Sequence, residues 1–161
     1  MFGTMTNEEI EDVLKKQYIG RIGCHAGGIT YVVPTSYAYD GRYIYCHTLQ
    51  DGKKIKMMRE NPAVCFEIDT LETMATWKSV ILWGNYEEVK DPKEREQALK
   101  VLLSRVYPFI ISKKMQLGDQ WPFMPDDPEN IKGIVFRISI REKTGKFEVN
   151  DDPWYYNQIK G

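Results

Sequence analysis

The sequence predicts a mainly β fold, an antiparallel sheet with flanking helices, and three observations carry that prediction. Runs of β-branched and aromatic residues follow one another through short turns, the connection that joins antiparallel neighbours. Asp40-Gly41, set between two such alternating runs, is a strong hairpin signal. Helical periodicity is confined to a few stretches. Closing such a sheet into a barrel would remove its exposed edges.

Each element has its own warrant. Thr6 and Glu9 form a capping box, and Ile10, Val13, Leu14 and Tyr18 follow at helical spacing with Glu11, Lys15 and Lys16 opposite; Gly20 is expected to end this helix. Residues 21–25 read as a short strand with Ala26-Gly27-Gly28 as its turn. A strand over 29–39 follows, and Pro34 within it requires a bulge or a sheet edge because proline has no N–H to donate. Residues 42–47 return from the Asp40-Gly41 turn. Residues 52–61 read as a short helix, with Asp51 as the expected N-cap, Ile55 and Met58 as its apolar stripe, and Asn61-Pro62 as its stop.

In the second half, residues 63–69 alternate Val64, Phe66 and Ile68 against Cys65 and Glu67. A loop over 70–76 leads to a long strand over 77–89, where Gly84 marks a bulge or a close approach. Asp91-Pro92-Lys93-Glu94 opens another helix, whose stripe is Ala98, Leu99, Leu102, Leu103 and Val106 and whose break is Pro108. Residues 118–130 read as loop, 131–140 as the last strand, followed by Thr144-Gly145 and an aromatic tail, Trp154-Tyr155-Tyr156. With no repeat, low-complexity segment or linker, residues 1–161 are expected to form a single domain.

The totals narrow the function classes. The 22 Lys+Arg and 23 Asp+Glu give a net charge of -1, so no global field draws nucleic acid or anionic lipid, and any anion site must be local. The three cysteines, Cys24, Cys46 and Cys65, are odd in number, widely spaced and set in apolar runs. That argues for buried free thiols in a reducing compartment, and against a disulfide framework or a zinc site. No run approaches the ~18 apolar residues of a membrane span, and residues 1–9 turn acidic at once, unlike a signal peptide. The expected location is cytoplasmic, with neither nucleic acid nor membrane as partner.

The chain lacks a Gly-x-Gly-x-x-Gly, a Walker loop, a His-Glu-x-x-His and a Gly-x-Ser-x-Gly. Its two histidines, His25 and His47, rule out a multi-histidine metal site and leave little material for a Ser-His-Asp triad. Difficult chemistry would therefore fall to a bound organic cofactor. The most informative segment runs Tyr43-Ile44-Tyr45-Cys46-His47-Thr48, then Leu49-Gln50-Asp51-Gly52-Lys53-Lys54. A strand ends at His47-Thr48, and a glycine then opens a helix whose first turn holds two lysines. Helix-start amides, two ammonium groups and the Thr48 hydroxyl together suit a phosphate. Two solvated lysines behind a capping Asp51 would read the same way, although first-turn lysines oppose the helix dipole. His47 is open in the same manner, between a hydrogen-bonded strand-end side chain and a functional one.

Four places together resemble the pyridoxamine-phosphate-oxidase-like FMN-binding split-barrel superfamily: Val33-Pro34-Thr35-Ser36-Tyr37; Tyr45-Cys46-His47-Thr48 through Lys53-Lys54 to Asn61-Pro62 and the strand after it; Trp77-Lys78-Ser79-Val80 leading to Gly84; and Ser139 through Thr144-Gly145-Lys146. The likeness spans roughly residues 8–147, and order and spacing carry it. The Tyr-x-His-Thr strand end and Arg105-Val106-Tyr107-Pro108 are most similar to the nitroimidazole-resistance (Nim) type.

The resemblance implies an antiparallel split β-barrel, an FMN cofactor and a homodimer with the cofactor at the subunit interface. It implies that Pro34, Thr35, Ser36 and Tyr37 run along the flavin ring, largely through their backbone. Tyr45, Cys46, His47 and Thr48 border the site, Thr48, Lys53 and Lys54 hold the phosphate, and Trp77, Ser79 and Val80 contribute, often from the second subunit. His47 would be catalytic, handling substrate or electrons beside the flavin. The implied activity is an FMN-dependent oxidoreductase of the nitroimidazole-reductase type. The alternatives are a non-catalytic flavin-, deazaflavin- or haem-binding carrier or sensor, and a plain dimeric scaffold. Residues 148–161 contain no arginine, where the oxidases use an arginine-rich segment, so pyridoxamine-phosphate oxidation is not expected. Lys53-Lys54 also stands where the family pattern has Arg-Lys, which gives point charges in place of a planar fork.

Overall fold

The computed structural model describes residues 1–106 and 131–150. Its elements are β1 (Phe2–Thr4), α1 (Asn7–Lys16), β2 (Ile19–Ala26), β3 (Ile29–Ser36), β4 (Ala38–Tyr39), β5 (Tyr43–Thr48), α2 (Lys53–Glu60), β6 (Ala63–Thr73), β7 (Thr76–Glu88), α3 (Pro92–Val106) and β8 (Ile134–Val149). The strands pair antiparallel in one sheet, in the order β3-β2-β6-β7-β8-β5-β4, with β1 added along β8. The two arms of this order curl toward each other, so that β3 lies against β5 without a ladder between them. A single backbone bond, Tyr37 N–H to Tyr18 O at 3.0 Å, ties the chain beyond β3 to the turn before β2. This is the split barrel that the resemblance implied.

Alternation sets the core. Ile22 and Cys24, Val64, Phe66 and Ile68, Val80 and Leu82, Ile44 and Cys46, Phe136 and Ile138 all point into one apolar cluster. Ile10, Val13 and Leu14 of α1 and Ile55 and Met58 of α2 pack onto it. Residues with opposite parity on the far arm, Ala38, Tyr45 and Val135, join Ala98, Leu99, Leu102 and Leu103 of α3 in a second cluster. No helix among the described residues is long and apolar enough to cross a membrane.

Local expectations hold where the signal is local. The Thr6 capping box forms, with Glu9 Oε2 accepting from Thr6 N at 2.7 Å. Gly27 and Gly28 both take positive φ (57° and 75°), the pair that a tight hairpin requires. Pro34 lies on the edge strand β3, opposite Arg21 of β2. At Gly84 the β7–β8 register shifts. A Cβ there would collide with Ser139 O and stand 2.8 Å from Ile138 Cγ2, so it is both the bulge and a close approach.

Several boundaries differ. The first helix stops at Lys16, not at Gly20, because Gln17 turns extended and Ile19 begins to pair with Ser36. Tyr18 therefore lies outside the helix and is 39% exposed. Gly20 sits inside β2, where a Cβ would be 2.6 Å from Phe66 Cζ. The strand expected over 29–39 breaks after Ser36, and residues 70–76 are a hairpin continuing β6 and β7 in place of a loop. The last strand runs Ile134–Val149, beyond the expected 131–140. It passes through Gly145, whose missing side chain makes room for Met5 Sδ and Ile10 Cγ1, 2.7 and 2.8 Å from an added Cβ. The short β1 was not expected from its three residues. Cys24 and Cys46 are buried free thiols, while the free thiol of Cys65 is half-buried. Pro108, the loop over 118–130, the Trp154-Tyr155-Tyr156 tail and the side chain of Val106 lie outside the described residues.

Candidate functional site

The start of α2 differs from the starts of the other two described helices. Thr6 caps α1, and Asp91 Oδ1 accepts from Lys93 N and Glu94 N, both at 3.0 Å, to cap α3. The N-cap of α2 is Gly52, in extended conformation, and no side chain bonds to it. Asp51, expected as this cap, is instead paired to Arg59 Nη1 at 2.6 Å. The first turn holds no acid and begins with Lys53 and Lys54. It therefore offers unsatisfied amides, the positive end of a dipole and two cations at one place. Nothing comes within 4 Å of a Cβ added at Gly52, so the approach to this end is open. The fully buried Ile55 and Met58 anchor the helix below it.

Neighbouring residues define the surroundings. Lys53 is exposed, and its Nζ lies 5.0 Å from the centroid of the Tyr31 ring on β3. Lys54 is half-buried, and its charge acts on Cys24, Cys46 and His47. Thr48 Oγ1 donates to Gln50 O at 3.5 Å across the connecting loop. Thr35 of β3 is buried and reaches Cys46 of β5 across the opening between the arms. Burial pushes the Cys46 thiol up to about 12, against the opposing pull of Lys54 and Thr35. Such a thiol stays protonated at neutral pH and acts as packing, not as a nucleophile.

Thr35, Cys46 and Lys54 thus come together, with Lys53 beside Lys54 in the first turn of α2 and Thr48 at the end of β5, of the same parity as Cys46. Pro34 and Ser36 flank Thr35 and are exposed. Tyr37 is a core residue: its hydroxyl donates to Leu14 O at 2.9 Å and its ring meets Phe66 edge-on at 5.3 Å. Its ring and hydroxyl are thus taken up by the core, and its N–H by Tyr18 O.

Adjacent strand residues face opposite sides, so β5 divides the predicted group. Tyr45 points to the α3 cluster with Val135, and burial pushes its hydroxyl up to about 12. His47 pairs in register with Val135 on that same side, and its Nε2 donates to Lys132 O at 2.6 Å. A carbonyl can only accept, so the neutral ring carries its proton on Nε2 and Nδ1 is its basic nitrogen. Gly133 makes this contact possible: at φ 101° it passes where a Cβ would be 2.9 Å from His47 Nε2. Arg95 Nη2 fastens the same turn through Ile131 O at 2.8 Å and Gly133 O at 3.2 Å. A cavity of about 220 Å³ adjoins it, lined by Glu88, Val89, Lys90, Arg95, Gly133, Ile134 and Val135.

Burial pulls the His47 pKa below its ordinary value, opposed by the Lys132 carbonyl and aided by the Arg95 and Lys54 charges. The unfolded chain then takes up a proton before the folded one does. The stability from this group is present above about pH 6.5 and is lost as pH falls through the folded value. His47→Gln keeps an amide donor for Lys132 O and cannot titrate. Its Tm profile between about pH 5 and about pH 8 is expected to be flatter than that of the wild type; parallel profiles would count against the assignment.

The third predicted group lies elsewhere. Trp77 donates from Nε1 to Glu148 Oε2 at 3.0 Å and stands 6.0 Å from the Phe2 ring. Ser79 Oγ donates to Glu67 Oε1 at 3.3 Å. These partners belong to β1, β6 and β8, and not to β3, β5 or α2. Val80, of opposite parity, is fully buried in the core. Sequence reasoning missed Tyr31, Arg59, Arg95 and Lys132. Their partners are 22, 29, 36 and 85 positions away in the chain, as Lys53, Glu88, Ile131 and His47, separations that no local spacing signals.

Comparison with known proteins agrees with this fold. A family model described as Pyridoxamine 5'-phosphate oxidase matches residues 6–147. The Uncharacterized protein RA0666 of Rhizobium meliloti (strain 1021) is 35% identical over 147 residues, which cover 88% of this chain and 92% of that protein. The crystal structure of an FAD-binding protein from Mesorhizobium loti is 31% identical with a TM-score of 0.69, covering 92% of this chain and 99% of its own. A 5-nitroimidazole antibiotic resistance candidate from Bacteroides thetaiotaomicron shares the fold, with a TM-score of 0.69 at 19% identity over 91% of this chain and 87% of its own. The chain belongs to the pyridoxamine 5'-phosphate oxidase family.

Proposed function

We propose that this protein binds FMN and works as an oxidoreductase of the nitroimidazole-reductase type, as a homodimer. One observation carries the reading: an uncapped helix start bearing Lys53 and Lys54, with Lys53 Nζ 5.0 Å from the ring of Tyr31 on β3. The donor set fits a phosphate monoester, with backbone amides, two ammonium groups and the Thr48 hydroxyl as hydrogen-bond donors. Pro34, Thr35, Ser36 and the Tyr37 backbone would border the ring. The FAD-binding protein of Mesorhizobium loti, 31% identical, supports a flavin as the ligand. When bound, a flavin supplies hydride and electron transfer that no side chain of this chain can perform. The residues themselves hold the phosphate, orient the ring and exclude water.

The homodimer reading has its own support. Trp77, Ile81 and Trp83 share one parity on β7 and remain half-buried, and the same face carries Leu71 of the adjacent β6 at 67% exposure and Val32 of the edge strand β3 at 60%. An apolar face of this kind suits a second copy, which would bring Trp77 and Ser79 toward a site they do not reach within one chain. The buried Val80 side chain would take no part in it.

A second reading is favoured by the placement of His47. Its ring is engaged by Lys132 O, on the opposite side of β5 from Cys46 and Thr48. A non-catalytic flavin carrier would need no acid or base there. One experiment separates the two readings. The purified protein should take up FMN with a flavin absorbance band, bleach anaerobically with NADH or another reductant, and be reoxidised by a nitroimidazole. Reduced protein that no nitro compound reoxidises would establish the carrier. A Soret band, or a colourless protein that takes up neither FMN nor FAD, would overturn the flavin reading.

A further inference from the structure

We propose that Arg59 is a positioning residue for the phosphate site, acting by withholding Asp51 from the start of α2. The inference rests on the phosphate reading above. Asp51 directly precedes the Gly52 N-cap and has the side chain best suited to bond first-turn amides. Left to itself it would compete with a phosphate for the same amides and the same two lysines. Arg59, in the last turn of α2, reaches back and holds the Asp51 carboxylate on Nη1 at 2.6 Å.

The arginine is itself fixed. Its Nε donates to Glu88 Oε1 at 2.5 Å, and Glu88, with only 14% of its side chain exposed, accepts from the Tyr86 hydroxyl at 2.7 Å. The Arg59 hydrogen bond holds the Glu88 carboxyl below its usual range, helped by the Tyr86 hydroxyl and Lys90 against the cost of burial. Glu88 is therefore the anchor on β7, Arg59 the arm, and the more exposed Asp51 the group that is held. The arrangement cancels a negative charge beside an anion site and leaves the helix-start amides unoccupied.

The test is a fluorescence titration with FMN, and with riboflavin as the phosphate-free control, on the wild type, Arg59→Met, Asp51→Asn and the double variant. Arg59→Met should weaken FMN binding about tenfold, because Asp51 is released onto the site, and leave riboflavin binding unchanged. Asp51→Asn alone should bind FMN at least as well as wild type. The double variant should recover to within about twofold of wild type, a non-additivity expected only if the arginine works through the aspartate. If Arg59→Met does not fold, Arg59→Lys with and without Asp51→Asn carries the same comparison, with a smaller loss and the same rescue. A wild type that binds while Arg59→Met changes nothing overturns this inference alone, as does a double variant no better than Arg59→Met. A wild type that binds neither FMN nor inorganic phosphate overturns both this inference and the phosphate reading.

Discussion

Replacing Lys53 and Lys54 together with glutamate is expected to abolish FMN binding while leaving the protein folded. Each charge-assisted contact to phosphate is worth about 1.5–3 kcal/mol, and repulsion adds to the loss. The affinity should fall by at least about a hundredfold, which a titration would read as loss of measurable occupancy. Stability should move the other way. Lysines in a first turn oppose the helix dipole and glutamates favour it, by about 0.3–1 kcal/mol each. Neither Lys53 nor Lys54 belongs to the apolar core. A raised or unchanged Tm with lost flavin would show that α2 accepts a helix cost in exchange for a ligand. Full flavin occupancy in this double variant would remove the basis of the proposed function.

The largest stability effect is expected at Gly84. A methyl group there would overlap Ser139 O and lie 2.8 Å from Ile138 Cγ2, and the first of these is backbone that cannot turn aside. Overpacking of this kind costs about 1–3 kcal/mol, and more where a ladder must shift. Gly84→Ala is therefore expected at or above about 3 kcal/mol, read as a lowered urea midpoint at unchanged slope. Gly27→Ala makes the contrast, since nothing lies within 4 Å of an added Cβ and its penalty comes from φ 57° alone. Equal losses in the two would show that crowding at the bulge is not what fixes Gly84.

What was legible in the sequence was local. The Thr6–Glu9 box, the Gly27-Gly28 turn and the alternation of Val64, Phe66 and Ile68 each depend on residues a few positions apart. The start of α2 with its lysines was legible for the same reason. Asp51 was misread because its partners are Arg59, eight positions on, and through it Glu88 of another strand; an ion pair won over a cap. Gly145, expected beyond the last strand, lies inside β8 because Ile10 of α1 and Met5, just before that helix, pack where its side chain would be. The division of Tyr45 and His47 from Cys46 and Thr48 follows from the period of a strand, since consecutive strand residues cannot share a face. Which face belonged to the ligand required the whole barrel.

The sixteen-residue β8 has a consequence for how the chain reaches this state. It is the partner of β1, β5 and β7, so it joins segments separated by most of the chain. Until residues 134–149 have left the ribosome, β5 and β7 each have an unpaired edge, and β1 has no sheet to join. Such long-range closure is slow and leaves sticky edges exposed meanwhile. Barrel assembly therefore waits on β8, and a chain truncated before it would be a substrate for chaperones and proteases, not a smaller folded protein.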